Sequence, residues 1–391
     1  MNPNYNNEIV NLMNNPVFYM SLANKELFHS NILAYFLRAS PDFAKAFLGF
    51  CLKSDLKNLE FVDVKREYNN FDLFIYYKNN NEDNFIVIEN KFKSIPTQKQ
   101  LDEYTGKIET KSIKIGKTIV KIDNTKCYLL APEASSTFIH DKGNKWKKIK
   151  FEDYINFINN NCSFFNDDFT KQFISKYCDF VKYVLNNIIS VTFTDENKNM
   201  SFPDDSKINS LSEIKMNDVF VKLWYKKRFD EITKQLKDIK YDKDYSGAGM
   251  SNSKGILEWK LHDKSEQYTF GVQIQNKDFR LFVFPGKDGD KKSENKAFKK
   301  ANKKDLFDEI NKWCECIYAE LKNEFSEINA LDKNTRNENE DGLFKYDDFK
   351  YRRFKLSDDL ELKTLKNYVQ RALELMVKNN PDFIINYLEN K

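Results

Sequence analysis

Three charged residues stand in this chain where an apolar strand would exclude them. Glu89 and Lys91 follow directly on Phe85-Ile86-Val87-Ile88, and Asp72 is set between Phe71 and Leu73. Strand side chains alternate with period two, so Glu89 and Lys91 share one face while Asn90 takes the other. Two carboxylates and an ammonium at the end of an apolar strand are unfavourable unless something pairs them. Two arrangements meet that condition: a solvated strand end with a surface ion pair, or a site for a hard cation. In the second, the carboxylates hold Mg²⁺. The lysine then orients or deprotonates an attacking water and stabilises charge developing on a phosphate.

The elements that must position these groups are a hairpin and two helices. Phe71–Tyr77 and Phe85–Phe92 are rich in aromatic and β-branched residues, and Asn79–Asn84 supplies turn residues between them. An even loop centred on Asn80–Asn81 sets Asp72 opposite Glu89, with Cβ atoms roughly 5 Å apart. A two-residue slip sets it opposite Lys91, and an odd loop sets it against Asn90 and scatters the group. Upstream, Asn24–Ala39 reads as a helix that stops before Pro41, with Glu26, Ser30, Leu33 and Leu37 on one stripe. Glu26 is either a further carboxylate for the metal or an N-terminal acid favoured by the helix dipole. His29 either touches a phosphate or is a satisfied buried histidine. Downstream, Pro96 opens a helix that puts Gln100 and Tyr104 on one face and Leu101 and Ile108 on the core side. Gln100 suits orientation of water or phosphate. Tyr104 stands beside it or simply packs. Strands at Leu59–Tyr68 and Lys126–Ala131, with helices at Pro41–Lys53, Phe151–Asn160 and Asp168–Ile188, complete an α/β layer.

The whole chain is compatible with that site. At 391 residues it is long enough for two cores, and 41% hydrophobic with 31% charged residues describes a soluble globular protein. No apolar run approaches the ~20 residues of a membrane span. The N-terminus lacks the pattern of a signal peptide, so the expected location is the cytoplasm. A formal charge of +4 permits nucleic-acid binding. Lys107, Lys111, Lys114, Lys117, Lys121 and Lys126 follow the site with few acids between them. With three histidines and no zinc pattern among six cysteines, a histidine-ligated centre is disfavoured and the thiols read as reduced core residues. After Val191 the composition turns polar, and 196–216 reads as linker. The remainder, 217–391, reads as α+β. Its Gly247-Ala248-Gly249 pair is a weak phosphate loop, since no Gly-Lys-Ser/Thr follows.

Asp72 followed by Glu89-Asn90-Lys91 after a hydrophobic strand resembles the PD-(D/E)XK nuclease superfamily, with Phe71 where the proline of the name stands. Lys25–Ser30 leading into an apolar helix, then Gln98, Gln100-Leu101, Tyr104, Leu129–Pro132, Trp146 and Ile149–Ile155, are similar in order and spacing to one branch of it. The resemblance covers roughly Leu22 to Ile189. It implies an α/β fold over 1–195, a restriction-endonuclease-like mixed central sheet flanked by helices. The α+β C-terminal domain would serve substrate recognition, dimerisation or regulation. It implies a Mg²⁺-dependent nuclease, with Mn²⁺ able to substitute, acting as a DNA endonuclease in bacterial defence. Asp72, Glu89, Lys91 and Gln100 would be catalytic, and Glu26, Asp72, Glu89 and the Asn90 carbonyl would hold metal. Tyr104 and Lys107 would meet nucleic acid. Outside the span of the resemblance, Lys287–Lys304 is lysine-dense, and Lys291, Lys292, Lys299 and Lys300 either meet the phosphates of a nucleic acid or belong to a solvated loop of a half that mediates dimerisation. The expected partners are DNA and a second copy of the chain, with no membrane. Two other readings stay open: an inactive nuclease-fold interaction or sensor protein, against which the presence of all three core charges argues, and a nuclease acting on RNA or branched DNA.

Overall fold

The computed structural model describes residues 10, 17, 27–54, 56–92, 98–110, 112–115, 118–122, 125–132, 145–189, 199–236, 238–243, 246–251, 254–262, 268–285, 303–325, 329–330, 344–346 and 349–381. The chain divides into two compact units, Met1–Thr194 with Ser206–Leu223, and Asp195–Asp205 with Trp224–Lys391.

The first unit opens with α1 (Leu27–Ala39) and α2 (Pro41–Leu52). Ser40 separates them: its hydroxyl accepts the Phe43 amide at 3.2 Å, and Pro41 starts the second helix where a missing N–H costs nothing. Strands β1 (Leu59–Tyr68), β2 (Phe71–Asn79) and β3 (Glu82–Asn90) form a meander. Both connections are two-residue turns of Asn-Asn, Asn69–Asn70 and Asn80–Asn81, with φ of 57°, 69°, 53° and 65°. Asparagine tolerates this left-handed region, and turns of that hand match the twist of a hairpin. Next come α3 (Gln98–Thr110), a small hairpin of β4 (Ser112–Ile115) and β5 (Thr118–Lys121), then β6 (Lys126–Ala131) and β7 (Trp146–Lys150). The main sheet has the order β1-β2-β3-β6-β7, antiparallel over the meander and parallel from β3 to β6 and β7. Helices α4 (Phe151–Asn160) and α5 (Asp168–Val184) follow, and a π-turn over Leu185–Ile189 ends α5 earlier than the apolar pattern predicts. The Asp167 carboxylate caps α5 by accepting the Thr170 amide at 2.7 Å.

The sheet buries both faces. On one, Phe74, Phe85, Val87, Cys127, Leu129 and Trp146 pack beneath Leu101 and Ile108 of α3. On the other, Tyr128 donates to the Cys51 carbonyl of α2 at 2.7 Å, and Asn90 meets Ser30 of α1.

Two further helices are α6 (Asp205–Glu213), lying in the stretch read as linker, and α7 (Asn217–Thr233), inside which the division between units falls. The second unit carries a seven-stranded antiparallel sheet: β12 (Asn329–Ala330), β14 (Phe349–Lys355), β11 (Asp278–Pro285), β10 (Tyr268–Gln275), β9 (Lys254–His262) and β8 (Gly247–Ser251), with β13 (Phe344–Tyr346) beside β14. Its helices are α8 (Lys303–Glu324) and α9 (Leu362–Lys378). Leu257, Trp259, Leu261, Phe270, Val272, Ile274, Phe279, Leu281 and Val283 alternate along the strands and are buried, and Trp313 of α8 meets Phe270 edge-on. Gly271 permits the close pairing of β9 and β10, since a Cβ there would lie 2.1 Å from the Trp259 carbonyl oxygen. The Gly247–Gly249 pair is edge strand rather than a phosphate loop. Among the described residues no helix is long and apolar enough to cross a membrane.

The fold is thus a mixed central sheet flanked by helices, as the resemblance implies, followed by an α+β part, as the pattern of strands and helices after residue 217 predicts. The β4–β5 hairpin was not foreseen: each strand is only four residues long, and Lys111, Lys114, Lys117 and Lys121 read as a basic stretch.

Candidate active site

The hairpin register assembles the site. Leu73 pairs with Ile88, Phe74 with Val87 and Tyr76 with Phe85. Carrying the ladder one pair further sets Asp72 against Glu89, the even-loop outcome. Asp72 and Glu89 therefore share the face of Phe74 and Val87, beneath α3.

At that strand end the side chains interlock. Asp72 Oδ2 accepts the backbone amide of Asn90 at 2.7 Å, extending the β2–β3 contact with a carboxylate oxygen. Lys91 Nζ lies 2.9 Å from Glu89 Oε1, and the two side chains are only 11% and 3% exposed. From α3 the Gln100 amide donates to the same Glu89 oxygen at 3.4 Å and to the Tyr104 hydroxyl at 3.1 Å. The Lys91 amide donates to the Leu130 carbonyl at 2.8 Å, which keeps the end of β3 tied to β6. Phe71, in the place of the family's proline, is fully buried and stands edge-on to Tyr104 with centroids 5.5 Å apart.

The structure thus brings together Asp72, Glu89, Lys91, Gln100 and Tyr104. Lys107 stands one turn further along α3, its Nζ 5.2 Å from the Tyr104 ring centre. Asn90 contributes its amide to Asp72, while its side chain turns to the opposite face and donates to Ser30 Oγ at 3.4 Å. Glu26, Lys291, Lys292, Lys299 and Lys300 lie outside the described residues. His29 takes the buried role: it is 1% exposed, bonds the Tyr177 hydroxyl at 3.0 Å and packs against Phe92 and Phe180.

Thr105 was missed by sequence reasoning, and Trp146 was named only for its order and spacing, with no role given to its indole. The Trp146 indole donates to the Leu101 carbonyl at 3.2 Å and to Thr105 Oγ1 at 3.1 Å. The available signal was a lone tryptophan in an otherwise lysine-rich strand.

The donor set fits a hard divalent cation. Two carboxylates oppose each other at one strand end, one of them almost fully buried, and they offer only oxygen. Among the described residues no three His, Cys, Asp or Glu side chains converge, so a metal's remaining ligands would include backbone, water or substrate. The cysteines supply none of this chemistry: burial pushes the thiols of Cys127, Cys178 and Cys314 up to about 12. Cys316, expected in the core, is exposed.

Searches of curated proteins and of solved structures return no match. A family profile, that of the PD-(D/E)XK nuclease superfamily, matches residues 16–241, more than half of the chain and well past the Ile189 limit of the motif resemblance. The matched span includes the whole five-stranded sheet and every residue of the assembled site. This chain belongs to the PD-(D/E)XK nuclease superfamily.

Proposed function

We propose that the protein is a Mg²⁺-dependent DNA endonuclease that hydrolyses phosphodiester bonds at Asp72, Glu89 and Lys91. Membership of the superfamily implies a phosphodiester-hydrolysing nuclease that uses a divalent metal. The observation that carries the assignment of the site is the buried Lys91–Glu89 contact on the face Glu89 shares with Asp72. A divalent cation on Asp72 and Glu89 would polarise the scissile phosphate and acidify a bound water. Lys91 supplies a fixed positive charge beside the attacking water and the developing phosphorane charge. Gln100 braces Glu89 from above and is itself held by Tyr104. Water adds to phosphorus and gives up a proton to solvent, the opposite P–O ester bond breaks, and the leaving alkoxide takes a proton back from solvent. Tyr104 and Lys107 offer a ring and a cation beside the site for the strand being cut. In the second half, Lys291, Lys292, Lys299 and Lys300 add positive charge for the phosphate backbone. Action against foreign DNA is the biological role this reading extends to.

The test is cleavage of supercoiled plasmid, linear DNA and RNA by purified protein, with EDTA, Mg²⁺ or Mn²⁺. DNA is expected to be cut only with added metal. Asp72→Ala and Lys91→Ala should each lose more than about a hundredfold in rate, the usual scale for removing such a group. Full activity in EDTA, or cleavage of RNA alone, would overturn the proposal.

A further inference from the structure

Helix α3 carries Gln100 and Tyr104 over the site but also packs on the core, and these duties fall on different faces. At 100° per residue, Leu101, Thr105 and Ile108 form one stripe, and Gln100 with Tyr104 forms the neighbouring one. Leu101 and Ile108 are buried beneath the helix. Apolar burial is non-directional and fixes the depth of a helix better than its roll. Roll matters here. At the 5–6 Å radius of a helix's side-chain surface, a rotation of about 10° moves an atom by on the order of 1 Å. The Gln100–Glu89 contact, at 3.4 Å, stands at the outer limit of a hydrogen bond.

The directional restraint comes from β7. Trp146, 3% exposed, sends its indole N–H to both the Leu101 carbonyl and Thr105 Oγ1, while Thr105 Oγ1 donates to the Leu101 carbonyl at 2.9 Å. Three groups thus close a triangle on the core side of α3, and the indole's rigid plane is anchored in the sheet by the pairing of Trp146 with Cys127. Tyr104, on the adjacent stripe, has its ring centre 6.3 Å from that of Trp146.

We propose that Trp146 is a positioning residue for hydrolysis: its indole N–H sets the roll of α3, and through it the alignment of Gln100 on Glu89. The inference rests on the active-site reading above. A tryptophan that merely satisfies its N–H in the core predicts something different. In Trp146→Phe the ring body stays, and Thr105 Oγ1 and the Leu101 carbonyl keep each other, so little buried polar desolvation follows.

A double-mutant cycle on the full-length protein separates the two, using the nucleic acid that the cleavage assay identifies. Trp146→Phe is expected to lower kcat about tenfold, the effect of misaligning one hydrogen bond in the transition state, with KM changed less than about twofold. In a Gln100→Ala background the same change should lower kcat by less than about twofold, because the group it positions is gone. Hydrogen exchange of residues 98–110 should accelerate in Trp146→Phe while β6 keeps its protection. An unchanged kcat, or a full tenfold loss in the Gln100→Ala background, would overturn the proposal. If Trp146→Phe does not fold, Thr105→Val carries the same cycle from the other end of the contact. Wild-type rates from Lys91→Ala would instead remove the active-site reading itself.

Discussion

Glu89 is a carboxylate kept in a place that favours neither its charge nor its hydration. With its side chain 3% exposed, it relies on Lys91 at 2.9 Å and the Gln100 amide at 3.4 Å. Taking two charges out of water is seldom repaid in full by their attraction, so a buried pair is weak ground for stability. Its persistence beneath α3, next to the buried Leu101 and Ile108, therefore points to chemistry. Removing one member leaves the other stranded, at a cost of about 3–5 kcal/mol, whereas removing both does not. The double change Glu89→Gln with Lys91→Met should thus be inactive yet melt at or above the temperature of either single variant. A double variant less stable than both singles would show that the pair holds the fold together. These charges were legible in the sequence because they break an apolar pattern. The Asn90 amide on Asp72 and the Trp146 indole on α3 were not, because they join residues 18 and 41–45 positions apart.

At the scale of elements, the hairpin of β2 and β3 turns chemistry into a matter of register. Its turn lies at the end remote from Asp72 and Glu89, and the register it sets decides whether they face each other. Asn80 and Asn81 both have positive φ, at 53° and 65°, so the turn is short, even and right for the strand twist. A β-branched residue is strongly disfavoured there, and the left-handed region costs such a residue about 1–2 kcal/mol. Asn81→Val should lower the melting temperature by several degrees while leaving the rate of the folded enzyme unchanged, as read by melting curves and by cleavage well below the transition. Equal melting temperatures would mean that the ladder to β6 sets the register and the turn is incidental. A turn centred on the asparagines was readable, with its even length one of the alternatives. Where the strands resume was not: Glu82, Asp83 and Asn84 look like turn residues but pair with Asn79, Lys78 and Tyr77. At an exposed hairpin end the backbone ladder forms whatever the side chains are.

At the scale of the molecule, the two halves are less separable along the chain than composition suggests. The polar stretch after Val191 reads as a linker, yet Asp195–Asp205 belongs to the second unit and Ser206–Leu223 to the first. The reason is a set of contacts that no local pattern encodes. The Ser201 amide donates to the Leu360 carbonyl at 3.2 Å, and the Leu362 amide to the Asn199 carbonyl at 2.8 Å, so this stretch pairs with the entry to α9. The Trp224 indole donates to the Ser201 carbonyl at 3.1 Å. Lys277, its side chain 9% exposed, lies 2.7 Å from Asp205 and 3.1 Å from Asp358, and the two carboxylates hold its pKa above the ordinary lysine value despite burial. A fragment starting at 217 would lack the Asp205 partner, the Ser201 carbonyl and both backbone bonds to the start of α9. Net contributions of about 0.5–1.5 kcal/mol for each hydrogen bond add up to a large share of a domain's 5–15 kcal/mol. We therefore expect residues 217–391 to melt at least about 5 °C below residues 195–391, or to aggregate. Circular dichroism melts of the two fragments decide it. Matching transitions would mean that 196–216 is a passive connection after all, and that the second core closes without it.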